Sequence, residues 1–161
     1  MKKLFIWALD RGKDQRVAIL QKVGLFKGLR SRVLMKLLVD LVEKEYPPGE
    51  VIFSEGESGK ALYIVLAGSV VISKRQNNSE KVLAELAAGS YFGELALIDH
   101  MPRYATAVAR EKTTLLIMYK SYFDDLLQGN AAVSSKVLQN MVSLLSEYIR
   151  RKHHNETDER I

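Results

Sequence analysis

With 161 residues the chain has the length of one ordinary domain and little room for a second. Its 47% apolar and 27% charged residues suit a folded globule, and no apolar run approaches the roughly 18 residues of a membrane span. Cysteine is absent, which excludes disulfides, thiolate zinc sites and cysteine nucleophiles, and the net charge of +5 is dispersed rather than gathered into one strip.

The opening "MKKLFIWALDRGK" has a basic start, but its apolar stretch from Leu4 to Leu9 is too short for a signal core and ends at Asp10 and Arg11. Residues 1–14 are read as a cytoplasmic N-terminal extension. Over 15–46 apolar residues recur at helical spacing, first Val17, Leu20 and Val23, then Val33, Leu34, Leu37, Leu38, Leu41 and Val42. The break "GLFKGLRS" supplies two glycines and a serine placed to cap the second helix.

From "YPPGE" the texture changes to short β-rich runs, Val51–Phe53, Leu62–Leu66, Val70–Ser73, Val82–Leu86 and Thr113–Tyr119, punctuated by "SEGESGK", "AGS", "RQNNSEK" and "AAGS". Strands at near-regular spacing predict an antiparallel β-roll of the jelly-roll type over 47–120, not a parallel α/β sheet. Helical spacing returns over 121–152, in "SYFDDLLQG" and in a longer segment from about Ala131 to Lys152. The fold class is therefore α+β, a roll flanked by N-terminal helices and a long C-terminal helix, with one domain over 15–152 and a tail over 153–161.

The last helix carries two apolar seams. Val137, Met141, Leu144 and Tyr148 form one; Leu138, Val142, Leu145 and Ile149 form the other. One seam suits the roll and the other a second copy of the chain, although a single broad face in the chain's own core fits the spacing equally well. Its end, Arg150, Arg151 and Lys152 followed by His153 and His154, reads as a solvated helix terminus. After Lys152 only "HHNETDERI" follows, which leaves no recognition helix for DNA.

The stretch "GSYFGELALIDHMPRYATAVA", Gly89–Ala109, carries the chemistry. "FGELAL" reads as the start of a short helix, with Gly93 allowing close backbone approach and free amides at Glu94, Leu95 and Ala96, a setting that attracts anions. Arg103 supplies a permanently charged fork suited to phosphate, held on a firm backbone between Pro102 and "YATAVA". A carboxylate at Glu94 repels phosphate alone, but it accepts a hydrogen bond from a hydroxyl on the same ligand. A ribose phosphate meets both demands.

These residues resemble the cyclic nucleotide-binding domains shared by the catabolite activator family, the regulatory subunits of cyclic-AMP-dependent kinase and cyclic-nucleotide-gated channels. The resemblance runs from about Leu25 to Tyr148. It rests on "PPGEVIFSEGESGKALYIVLAGSVVI", similar to the family's first strands, and on "GSYFGELALIDHMPRYATA", similar to its phosphate-binding cassette. It implies that Glu94 accepts from the ribose 2′-hydroxyl, that Arg103 pairs with the cyclic phosphate, and that amides at Gly93, Leu95, Ala96 and Ala105 line the pocket. Gly49, Gly56, Gly59 and Gly68 are read as turn residues of the roll. Tyr104 departs from the family, whose members carry a small residue there. The absence of threonine favours cyclic AMP over cyclic GMP, and the ring is free to stack on a base, reach the last helix or narrow the pocket. Val82, Leu83 and Val71 are candidates for the apolar wall around the base.

The expected function is that of a cyclic nucleotide sensor whose last helix rearranges and signals to a protein effector. The competing reading is an interaction module of the same fold that has lost its ligand. A metal enzyme is not expected, since the only histidines are His100 and the adjacent His153 and His154, and no serine elbow is recognisable.

Overall fold

The computed structural model describes residues 15–77, 79–98 and 101–158, the last eight by their backbone. Helix α1 covers 15–22 and leads through a 3₁₀ turn, Gly24–Phe26, into α2, Ser31–Val39. Eight strands follow: β1 Val42–Tyr46, β2 Val51–Phe53, β3 Ala61–Ala67, β4 Ser69–Gln76, β5 Ser79–Ala87, β6 Tyr91–Phe92, β7 Thr106–Ala109 and β8 Thr113–Tyr119. A four-residue helix, α3 Leu95–Ile98, interrupts them, and α4 Lys120–Gly129 and α5 Ala131–Asp158 close the chain.

The strands form two antiparallel four-stranded sheets, ordered β1-β8-β3-β6 and β2-β7-β4-β5. Side chains on a strand alternate between faces, and β3 and β8 use both faces. Leu62 and Ile64 on β3, with Leu116 and Met118 on β8, turn to a cluster closed by the helices through Leu20, Phe26, Leu34, Phe123 and Val137. Their neighbours Ala61, Val65, Leu115 and Ile117 turn to the second sheet and meet Phe53, Val70, Phe92, Ala107 and Ala109. Two strands buried on both faces read as continuous apolar runs, which is why "ALYIVLA" and "TLLIMY" are prominent in the sequence.

The helical spacing expected through residue 46 does not hold. Helix α2 stops at Val39, and Val42–Tyr46 is an edge strand paired with β8, Val42 opposite Ile117 and Tyr46 opposite Thr113. Leu41 and Val42 continue the helical period of Leu37 and Leu38, so spacing alone cannot end the helix there; the ladder offered by β8 decides it. The following "EKE" keeps this edge charged, as exposed sheet edges usually are. Strand β7 lies within the β-like "YATAVA", whereas the two residues of β6 are too few for the sequence pattern to mark. At the other end α5 begins after Asn130, whose Oδ1 accepts from the amides of Ala132 and Val133 at 3.0 and 3.1 Å, and its helical backbone continues to Asp158, beyond the expected end at 152.

Candidate functional site

The cassette is built where the first sheet meets α3. Gly93 leaves β6 with φ +77°, a left-handed conformation that glycine adopts without strain. A Cβ there would lie 2.6 Å from Arg103 Nη1 and 3.1 Å from the Ala61 carbonyl oxygen, so the glycine also makes room for the arginine. Arg103 is held by its backbone on both sides: its N–H donates to the Glu57 carbonyl at 2.7 Å, and its carbonyl accepts from Gly56 at 2.9 Å. Pro102 bridges to Ser58 beside it.

From this position the guanidinium of Arg103 reaches inward, and the residue as a whole is 9% exposed. Nη2 donates to the Ala61 carbonyl at 2.9 Å and Nη1 to the Gly93 carbonyl at 3.2 Å. Its plane lies on an aromatic floor, 4.1 Å from the Phe53 ring centroid and 5.5 Å from that of Tyr63. Phe53, Tyr63 and Phe92 pack on one another with centroids 5.2 to 5.8 Å apart, drawing the floor from β2, β3 and β6. None of the ion pairs among the described residues includes Arg103. Burial holds its pKa below the ordinary arginine value, opposed by Tyr63 and by the Glu57 and Glu94 carboxylates. A buried cation that meets carbonyls and rings but no contacting carboxylate is an incomplete electrostatic arrangement, and an anion completes it.

Glu94 is also buried, at 8% exposed, and lines the same cavity. Its carboxylate accepts a hydrogen bond from the hydroxyl of Tyr148 on α5. Gly93, Glu94, Leu95, Ala96, Arg103, Tyr104 and Ala105 together line a cavity of about 470 Å³, so seven of the ten residues expected at the site converge on one space. Of the three amides expected to be free, that of Ala96 donates to the Gly93 carbonyl at 3.3 Å. Tyr104 is 69% exposed, its ring covered by Lys74 Nζ at 3.4 Å from the centroid.

Val82 and Leu83 are not brought to this cavity. Both lie on β5, an edge strand of the second sheet, and are 62% and 43% exposed. Val71, on the neighbouring β4, is likewise not part of the lining, which instead takes Ile72 from that strand. Sequence reasoning also missed Phe53, Phe92, Met101 and Pro102 as lining residues. Gly59 was read as a turn glycine, yet it is a close-approach position: a Cβ there would meet Ala96 Cβ at 2.6 Å and the Arg103 guanidinium at 3.4 Å. Nothing in the local sequence distinguishes it from Gly49, which does occupy an open turn.

Among the described residues the polar side chains at the cavity are Glu94, Arg103, Tyr91 and Tyr104, a set suited to holding an anion that also bears hydroxyls. No group of three or more potential metal ligands occurs among the described residues; His100 lies outside them, and the side chains of His153 and His154 are not described.

Comparison with known proteins agrees with this geometry. The chain is 35% identical over 121 residues to the cAMP-dependent protein kinase regulatory subunit of Mycosarcoma maydis, covering 67% of this chain but only 23% of that subunit. In structure it is similar to a cyclic nucleotide-binding domain from Methylobacillus flagellatus, with TM-score 0.77 and 26% identity over 91% of this chain and 83% of that one. It is also similar to the regulatory domain of Toxoplasma gondii PKA crystallised with cAMP, with TM-score 0.67 and 31% identity over 70% of this chain and 43% of that one. The family model of the cyclic nucleotide-binding domain matches residues 43–130, from the first strand through α4, and the chain belongs to that family.

Proposed function

We propose that this chain is a cyclic nucleotide receptor domain, cyclic AMP being preferred to cyclic GMP, which binds its ligand without chemical conversion and signals in the cytoplasm through α5. The observation that carries the reading is the buried Arg103, lacking a carboxylate contact, beside the buried Glu94 at one cavity. In this reading Arg103 pairs with the cyclic phosphate, Glu94 accepts from the ribose 2′-hydroxyl, and the amides of Gly93, Leu95 and Ala105 face the phosphate, that of Ala96 being turned to the Gly93 carbonyl. The cavity lies within the range of about 300–1,000 Å³ common to small-molecule sites. The preference for cyclic AMP rests on the sequence, through the absence of threonine at position 104. Residues 15–152 form the receptor domain in this reading, between an extension of 14 residues and a short tail.

The signal needs a surface on which to act. Leu138, Val142 and Ile149, on the outer seam of α5, are 47%, 64% and 59% exposed, which supports a second copy of the chain or a protein effector docking there. Loss of self-association on Val142→Glu, measured by sedimentation, would separate the copy from the effector.

Thermal unfolding with cyclic AMP, cyclic GMP and 5′-AMP in parallel tests the receptor reading. Ligand at one hundred times its dissociation constant adds about 2.7 kcal/mol, a rise of several degrees for a domain of this size. A rise with a cyclic nucleotide but not with 5′-AMP is expected. No rise with any of them, from protein free of bound nucleotide, would favour a ligand-free interaction module.

A further inference from the structure

A second concave surface lies between α2 and the edge of the first sheet and shares no lining residue with the nucleotide cavity. Its floor is Leu116 on β8 with Glu43, its partner in register on β1. Met35, Leu38 and Val39 of α2 form one wall, continued by Leu41 in the short link from α2 to β1. Arg16, in the first turn of α1, closes one end through an ion pair with Glu43. The groove holds about 300 Å³ and is mostly apolar. Leu116 is 3% exposed and belongs to the helical cluster, against which Leu38 and Leu41 are partly buried, whereas Met35 and Val39 at the mouth are 47% and 82% exposed. The apolar core therefore runs out to the surface here, an arrangement that favours a covering partner.

The segment 1–14, which lies outside the described residues, has the composition to cover it. Residues 4–9, "LFIWAL", are an uninterrupted apolar run, and residues 10–14, "DRGKD", are a polar connection with Gly12 at its centre. A connection of this length commonly turns a chain back on a neighbouring element, and glycine permits the reversal. It enters α1 beside Arg16, at the groove's own end. Extended, it spans about 20 Å, more than the rise of about 6 Å along α2 from Met35 to Val39. The charges are complementary as well. Lys2, Lys3, Arg11 and Lys13 outnumber Asp10 and Asp14 in the segment, while the exposed Asp40, between the lining residues Val39 and Leu41, enters no ion pair among the described residues.

We infer that this groove is the seat of the chain's own N-terminal segment: the apolar run 4–9 folds back into it and shields Met35 and Val39. A second copy of the chain or a lipid surface could offer apolar groups to the same groove, but only the tethered segment arrives at an effective concentration in the millimolar range. Closing so short a connection costs little chain entropy against the apolar area removed from water. Once seated, the segment adds a layer to the helical cluster and clamps α2 to the edge strand β1.

Trp7 is the chain's single tryptophan, so its fluorescence reports on this segment alone. In the full chain Trp7 is expected to emit at short wavelength and to resist quenching by iodide, at every protein concentration. Val39→Glu is exposed enough to leave the fold intact, which circular dichroism checks, and puts a carboxylate in the apolar seat. It is expected to move the emission to longer wavelength and to remove the protection from iodide. Val51→Glu, also at an exposed position but on the second sheet, is expected to change neither. Solvent-exposed emission in the parent would overturn the inference, as would emission that Val39→Glu leaves unaltered, because Trp7 would then be buried elsewhere. An equal loss of protection in Val51→Glu would overturn it by removing its dependence on the groove. Protection that disappears on dilution would replace the chain's own segment with that of a second copy. Protection that arises only when phosphatidylserine vesicles are added would replace the groove with a lipid surface.

Discussion

The helical cluster and the roll cluster share the two strands β3 and β8, yet they are finished with different side chains. On the helical side Leu, Val, Met and Phe from six helical elements, the 3₁₀ turn included, meet the sheet, with Leu20, Phe26, Leu34 and Val137 fully buried. On the roll side two aromatic rings lie beneath a guanidinium with a third packed against them, and all the buried polar or charged residues among those described, Ser69, Ser73, Glu94, Arg103 and Thr113, fall within the roll. Apolar packing is non-directional and adds stability wherever volume is filled. Buried charge is costly and directional, and it is retained where something must be recognised. The comparison implies that the helical cluster stabilises the fold while the roll holds the site at some expense in stability.

Phe123→Ala should break the helical side most severely. The ring is 1% exposed on α4, and its loss should cost about 3–5 kcal/mol of stability, read as a lower urea midpoint, with the nucleotide affinity of the folded protein unchanged. Arg103→Met should do the reverse. Nucleotide binding should weaken by about 2–5 kcal/mol in titration, while unliganded stability should change by only about 1 kcal/mol, since methionine covers the aromatic floor without the desolvation cost of a buried charge. If instead Arg103→Met unfolds the domain, the arginine is structural and the contrast between the clusters collapses.

Gly93→Ala touches both properties. A left-handed backbone and a 2.6 Å approach to Arg103 Nη1 should lower stability by about 1–3 kcal/mol and weaken nucleotide binding by displacing the guanidinium. The smallest effect should come from Val82→Ser. On the exposed edge strand it should alter stability by no more than about 0.5 kcal/mol and leave nucleotide affinity unchanged. A marked loss of affinity there would show that β5 closes over the ligand and restore Val82 to the base-binding wall.

Much of this architecture is legible in the amino-acid order because the signals are local. The runs "ALYIVLA" and "TTLLIMY" announce strands and the interval from Glu94 to Arg103 marks the cassette, whereas the serine expected to cap the second helix is Ser31, the first residue of α2, and Arg30 holds the cap position with no side-chain bond. Seven expected site residues share one cavity because they lie within a single stretch whose turn chemistry folds it back on itself.

What the tertiary structure alone decided involves partners distant in the chain. Val42–Tyr46 becomes a strand because β8, some seventy residues later, supplies its ladder; helical spacing cannot register such a partner. Gly59 is needed because Ala96 and Arg103 arrive beside it, while Val82 and Leu83 are left outside by the position of β5 at a sheet edge. The meeting of Tyr148 with Glu94 belongs to the same class. Periodicity placed Tyr148 in one seam with Val137, Met141 and Leu144, but only the packing of α5 against the 3₁₀ turn and the roll decides that this seam faces inward and which side chain Tyr148 meets. Local sequence sets backbone preference and the face a residue occupies; long-range contact sets its neighbour, because that depends on the paths of two segments at once.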